Sequence, residues 1–227
     1  MSNNHHVSMT ILTAVDPYAS ACKDIVANKD GKVEKKFKSV GVNFKFRIET
    51  FGNIHELGEV IRRVKKEPNS FPIRGTPIGN TSEPVIRKLA DNGGYFRDDS
   101  IRWMMADFDK LKNFSPFIDP AVNPEAGAAW ARCLMGEAFD GVTCFYDYSS
   151  GQNVPAKKGE PPPQTLSLHL FFILDRGVTS EEWRRYFKAN PYVDCKLYNP
   201  VQPHFTSLPK FCGMDDPLGD KRCGILE

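Results

Sequence analysis

Two short apolar runs, 101–109 (IRWMMADFD) and 166–174 (LSLHLFFIL), each carry a pair of polar residues two positions apart, and that spacing limits what the chain can build. Runs this short, apolar and free of breakers read as strands. Successive strand side chains point to opposite faces, so Asp107 and Asp109 share one face while Met104, Ala106 and Phe108 enter a packed layer. In the second run Ser167 and His169 share a face, and five apolar residues line the other. Two carboxylates beside Trp103 and Met104 repel and desolvate one another unless a cation offsets them. With a third carboxylate such a pair can hold hard divalent cations, which suit phosphate chemistry and two-metal nucleotidyl transfer.

Around these runs the pattern is mixed. Residues 7–13 alternate weakly and suit a first strand, 29–38 form a lysine-rich hairpin or loop around Asp30-Gly31, and 42–48 read as an amphipathic strand. Asn53 with Glu56 three residues later resembles a capping box that opens a helix to about Lys66. Leu57, Val60, Ile61 and Val64 stripe one face of it, and Arg62, Arg63, Lys65 and Lys66 decorate the rest as a solvated surface. A second cationic group, Arg184, Arg185 and Lys188, reads the same way. A short helix is expected over 83–91, stopped by Gly93-Gly94, another helix over 124–139, and a strand over 141–148. A loop with four prolines and two lysines then spans 149–164. Thr179 with Glu182 caps a helix to Lys188, and a proline-rich stretch occupies 200–217.

At 227 residues the chain can bury a substantial core, and 41% hydrophobic against 26% charged residues is the globular range. A net charge of +2 excludes a strongly basic body, so any nucleic-acid surface must be a local stripe. No apolar run reaches the ~20 residues of a membrane span, and the N-terminus lacks the order of a secretion signal, which makes the cytoplasm the expected location and a membrane partner unexpected. The six cysteines form no C-x-x-C pair. The spacing of Cys212, Cys223 and His204 matches no standard zinc knuckle, so they read as reduced thiols.

The order D-x-D (Asp107, Asp109), S-x-H (Ser167, His169), then an apolar residue and Asp (Val193, Asp194) resembles the archaeo-eukaryotic primase superfamily, especially the primase-polymerases of plasmids, phages and integrated elements. Phe71-Pro-Ile-Arg-Gly75 upstream, Tyr148-Ser-Ser-Gly151 in between, and the stretch from Val193 to Pro203 add local similarity, over roughly residues 70–212. The resemblance implies an α+β fold: an RRM-like palm with a mixed or antiparallel sheet and helices, at about 96–215, behind an N-terminal α/β lobe at about 1–95. It further implies that residues 1–227 are a single catalytic domain, the N-terminal part of a longer protein with a helicase or accessory domain following.

On that resemblance the chain is a DNA primase and polymerase. It adds ribo- or deoxynucleoside triphosphates on a single-stranded DNA template, in replication of a mobile element. Asp107, Asp109 and Asp194 would be the catalytic carboxylates on two Mg²⁺ or Mn²⁺ ions, and Ser167 with His169 would grip the triphosphate. If 193–198 is extended, Lys196 shares a face with Asp194 and would neutralise triphosphate charge. Ser149, Ser150 and Gly151 form a polar turn suited to phosphate, and Arg74 before Gly75 suits a template or nucleotide phosphate. Gln202, His204 and Thr206 would line the base or sugar. Two rivals compete. A D-x-D glycosyltransferase also uses Mn²⁺ but normally shows a nucleotide-binding α/β half before its D-x-D. A non-catalytic, DNA-binding replication initiator would not need all three carboxylates.

Overall fold

The computed structural model describes residues 7–112 and 114–227. Its first helix, α1 (Ile54–Lys65), starts where the Asn53 side chain accepts the Glu56 N–H at 3.0 Å, and ends with Arg62, Arg63 and Lys65 in its last turn, where cations favour the helix dipole. The stripe Leu57, Val60, Ile61 and Val64 is fully buried. Gly58 lies on the same side, and a Cβ there would come within 2.9 Å of the Phe145 ring, so the missing side chain sets how closely the helix approaches.

Among the described residues thirteen strands follow one another around three helices. They are β1 (Val7–Ala14), β2 (Lys23–Ala27), β3 (Val33–Phe37), β4 (Asn43–Phe51), β5 (Ser70–Ile73), β6 (Thr76–Pro77), β7 (Val85–Ile86), β8 (Phe96–Arg97), β9 (Ile101–Leu111), β10 (Cys144–Tyr148), β11 (Leu166–Val178), β12 (Lys210–Cys212) and β13 (Cys223–Leu226). The other two helices are α2 (Pro124–Cys133) and α3 (Ser180–Tyr186). One sheet has the order β5-β1-β4-β7, a second β13-β10-β11-β9, a third β12-β2-β3, and β6 pairs with β8. The fold is therefore α+β with mostly antiparallel pairing.

In the second sheet β9 and β10 both run antiparallel to β11, so they are parallel to each other with β11 between them. With α2 linking β9 to β10, this is a split β-α-β unit. One face of that sheet (Met104, Ala106, Phe108, Leu168, Leu170, Phe172) packs on α2 and α3. The opposite face (Trp103, Met105, Phe145, Phe171) packs on α1 and on Val7, Met9 and Ile11 of β1. Helix α1 therefore shares one apolar layer with the two four-stranded sheets.

Several expected elements differ. Residues 83–91 hold the short β7 and a 3₁₀ turn at Ala90–Asn92, because the segment pairs with β4 instead of closing on itself; Gly93 does end that turn in the left-handed region (φ 73°). The helix over 124–139 breaks at Cys133, with a separate 3₁₀ turn at Glu137–Phe139 after Gly136 (φ 99°). The tail carries two strands: β12 joins β2 in parallel, and β13 adds to β10, beyond the expected palm boundary near 215.

The largest correction concerns Arg74. It is 3% exposed, and its guanidinium donates to the Trp103 carbonyl (2.7 Å), the Val178 carbonyl (2.7 Å) and the Ser180 hydroxyl (3.3 Å). Burial pushes its pKa down to about 10, with Asp98 pulling the other way. This side chain cross-links β9 and the end of β11 and is not presented to DNA. Arg74→Ala should cost on the order of 2–5 kcal/mol in urea denaturation, because it strands two buried carbonyls. A variant with an unchanged midpoint would contradict the assignment.

Candidate functional site

The face of the second sheet that packs against α1 changes character along its strands. Trp103, Met105, Phe145 and Phe171 are buried in the apolar layer, and the next positions on the same face are Asp107, Asp147 and His169. Strand register places His169 directly opposite Asp107 on one side and Asp147 on the other. Three ionisable side chains thus form a row across the sheet.

Asp147 is fully buried, and its carboxylate pairs with the ammonium of Lys65, which is itself only 4% exposed. His169 Nε2 lies 3.3 Å from Asp107 Oδ1, while Nδ1 is 4.0 Å from Asp147 Oδ2 and has no hydrogen-bond partner. Burial favours neutral imidazole, but Asp107 and then Asp147 outweigh it and raise the His169 pKa to about 9. Burial likewise works against both carboxylates. His169 nevertheless holds the Asp107 pKa below its usual value, and Lys65 followed by His169 does the same for Asp147. The imidazole is therefore a cation at neutral pH, wedged between two carboxylates.

Asp109 and Lys110 form a bulge. Leu166 pairs with Leu111 but Leu168 pairs with Phe108, so β9 carries one extra residue, and Lys110 takes φ 52° to accommodate it. Ser167 secures this bulge: its hydroxyl accepts the Lys110 N–H at 2.8 Å and donates to Asp109 Oδ1 at 3.2 Å. Ser167 is buried and engaged with β9, so in this state its hydroxyl orients Asp109 and is not free to grip phosphate, as the sequence had suggested. Asp109 itself projects outward with its side chain 68% exposed.

Asp194 reaches the site from the chain after α3. Its N–H bonds to the Asp107 carbonyl at 3.2 Å, on the edge of β9 that no strand covers. The expected extended segment is instead a 3₁₀ turn over Cys195–Tyr198, whose N-terminus the Asp194 carboxylate caps by accepting the Lys196 N–H at 2.9 Å. The shared-face argument for Lys196 therefore fails, yet Lys196 still reaches the same cavity.

That cavity, about 420 Å³, brings together Asp107, Asp109, Asp194, His169 and Lys196, and the Ser149-Ser150 turn forms part of its wall. Arg222, buried, fixes the turn by donating to the Ser149 carbonyl at 2.7 Å while pairing with Asp216. Gln202 and Thr206 also line the cavity, whereas His204 is completely buried behind it, edge-on to Trp103 at 5.7 Å. Burial and the Arg74 charge push the His204 pKa down to about 3, so it is a neutral packing group.

Among the described residues no group of three or more His, Cys, Asp or Glu side chains is drawn together closely enough to cage an ion. The convergence of Asp107, Asp109 and Asp194 is a shared cavity. The donor set still fits Mg²⁺ or Mn²⁺, since Mg²⁺ is commonly held by one or two carboxylates completed by substrate phosphates and water.

The sequence reading passed over Asp147 and put Lys65 on the solvated face of the helix, whereas it is buried and paired with Asp147. Lys65 had a readable signal: it lies four residues after Ile61, on the apolar stripe. Asp147 had none, because only strand pairing reveals that it faces His169.

The charge row gives the protein an alkaline weakness. A group whose pKa is raised by folding stabilises fully below its unfolded value and loses that contribution as pH climbs through the folded value. For His169 the window runs from roughly 6.5 to about 9, and the loss should be on the order of 2–3 kcal/mol. Urea midpoints at pH 6 and pH 9.5 measure it. His169→Gln should flatten the alkaline decline, and an equal decline in that variant would place the effect elsewhere. Comparison with known proteins finds no matching family model, no matching curated protein and no matching solved structure, so a functional reading rests on this geometry.

Proposed function

We propose that this chain is a metal-dependent nucleotidyltransferase, the palm of a DNA primase and polymerase that extends or initiates primers on single-stranded DNA. The observation that carries the reading is the meeting of the three ordered motifs in one cavity: Asp107 and Asp109 from β9, His169 from β11, and Asp194 from the segment after α3. The split β-α-β unit, with the Asp194 segment bonded to the free edge of β9, supports an RRM-like palm.

In this account the exposed Asp109 and Asp194 and the half-buried Asp107 supply hard oxygen ligands to the cavity. Bound Mg²⁺ or Mn²⁺ would activate a primer 3′-hydroxyl and stabilise the leaving pyrophosphate. Ser167 holds Asp109 and the bulge in place, so that the carboxylate is aimed before substrate arrives. His169, a cation backed by Asp147 and Lys65, screens Asp107. Lys196 adds positive charge beside Asp194.

The test is primer synthesis on random-sequence single-stranded DNA with Mn²⁺ and nucleoside triphosphates, with no primer added. The wild type should yield template-dependent products. Asp109→Asn should reduce them by roughly a hundredfold or more while leaving stability within about 0.5 kcal/mol, because an exposed ligand is lost and its volume kept. Sugar-nucleotide hydrolysis without DNA dependence would instead indicate a glycosyltransferase. DNA binding without nucleotide addition would indicate a replication-initiator module.

A further inference from the structure

The hairpin β2–β3 reaches the cavity at Lys23 and touches its Ser149–Gly151 turn through Lys35. Register pairs Lys23 with Phe37 and Ile25 with Lys35, and directly paired residues point to the same face. Lys23 lines the cavity. Phe37 sets its ring edge-on against Phe205, another lining residue, at 5.4 Å. Lys35 extends to the Ser149–Gly151 turn, its Nζ 3.4 Å from the Gly151 carbonyl. The hairpin is fixed in this position, since Val33 bonds to the Ala156 carbonyl at 2.9 Å and Lys158 to the Gly31 carbonyl at 2.8 Å.

We propose that Lys23 and Lys35 form a polyphosphate-binding wall of the cavity, which takes the β- and γ-phosphates of a nucleoside triphosphate. Burial, then the neighbouring Lys23 and Lys110 charges, lower the Lys35 pKa, with Asp109 pulling the other way. A half-buried ammonium with other cations near it is stabilised when an anion joins it. Thr206 provides an independent sign of a ligand: it lines the same cavity, is 2% exposed, and its hydroxyl has no hydrogen-bond partner. It sits next to the start of the hairpin, where the Cys22 thiol reaches the Leu208 carbonyl at 2.8 Å. A small concave site with crowded cations suits the concentrated charge of a polyphosphate better than a DNA strand, which carries its charges one per nucleotide along an open track.

The identity of the nucleoside rests on the nucleotidyl-transfer reading, but the binding site can be tested without catalysis. Calorimetric titration with inorganic tripolyphosphate in EDTA compares wild type with Lys23→Gln and Lys35→Gln. Each substitution should weaken binding by roughly ten- to hundredfold, the worth of a charged hydrogen bond. Lys35→Arg should keep most of the affinity, and Asp109→Asn should bind at least as well as wild type because it removes a negative charge. Undiminished tripolyphosphate affinity in both Gln variants would overturn the inference. So would loss of single-stranded DNA binding with tripolyphosphate binding intact, which would make the wall a template track. Primer synthesis by the wild type combined with undiminished affinity in the Gln variants would remove this wall alone. Weakened tripolyphosphate binding without any nucleotide addition would keep the wall and remove the polymerase.

Discussion

The row Lys65, Asp147, His169, Asp107 is the constraint on which the rest of the arrangement depends. Three of these groups sit side by side across β10, β11 and β9 because of strand register, and the inner carboxylate is fully buried. A buried carboxylate without a counter-charge costs several kcal/mol, so a cation must come from another layer. Lys65 is that cation, and it arrives from the C-terminal end of α1. This requirement ties the helix to the second sheet at one place, with Gly58 allowing the close approach to Phe145 nearby. It also leaves Asp107 and His169 charged in the lining of the cavity.

The cavity carries charges of both signs. Carboxylates come from β9 and from the segment after α3, and lysines come from the start of β2 (Lys23) and from the 3₁₀ turn (Lys196). A site with both signs fits a substrate that carries its own anionic groups and brings a divalent cation with it. The weak net charge of +2 is compatible with this, because the positive charge is concentrated locally.

The sequence made the strands of the site legible and left their surroundings hidden. Alternation placed Asp107 and Asp109, and Ser167 and His169, on shared faces of β9 and β11, and both caps, at Asn53 and at Thr179, open helices as expected. Helix α1 was legible because its stripe repeats over three turns. The turn at Cys195–Tyr198 was not, because a single N-cap by Asp194 overrides a locally extended pattern. Arg74 was misplaced for a related reason: an arginine before a glycine looks like a surface feature until the carbonyls of Trp103 and Val178, distant in sequence, converge on it. The place of Asp147 beside His169 depends on pairing between strands distant in sequence, which no local pattern reports.

The central claim is that the cavity carboxylates and a nucleotide hold a divalent cation together. Titration of Mn²⁺ followed by electron paramagnetic resonance, with and without a nucleoside triphosphate, tests it most directly. The account predicts that the triphosphate tightens Mn²⁺ binding by about tenfold or more, and that the double variant Asp107→Asn/Asp194→Asn loses this coupling. Mn²⁺ binding that is indifferent both to the triphosphate and to those carboxylates would contradict it.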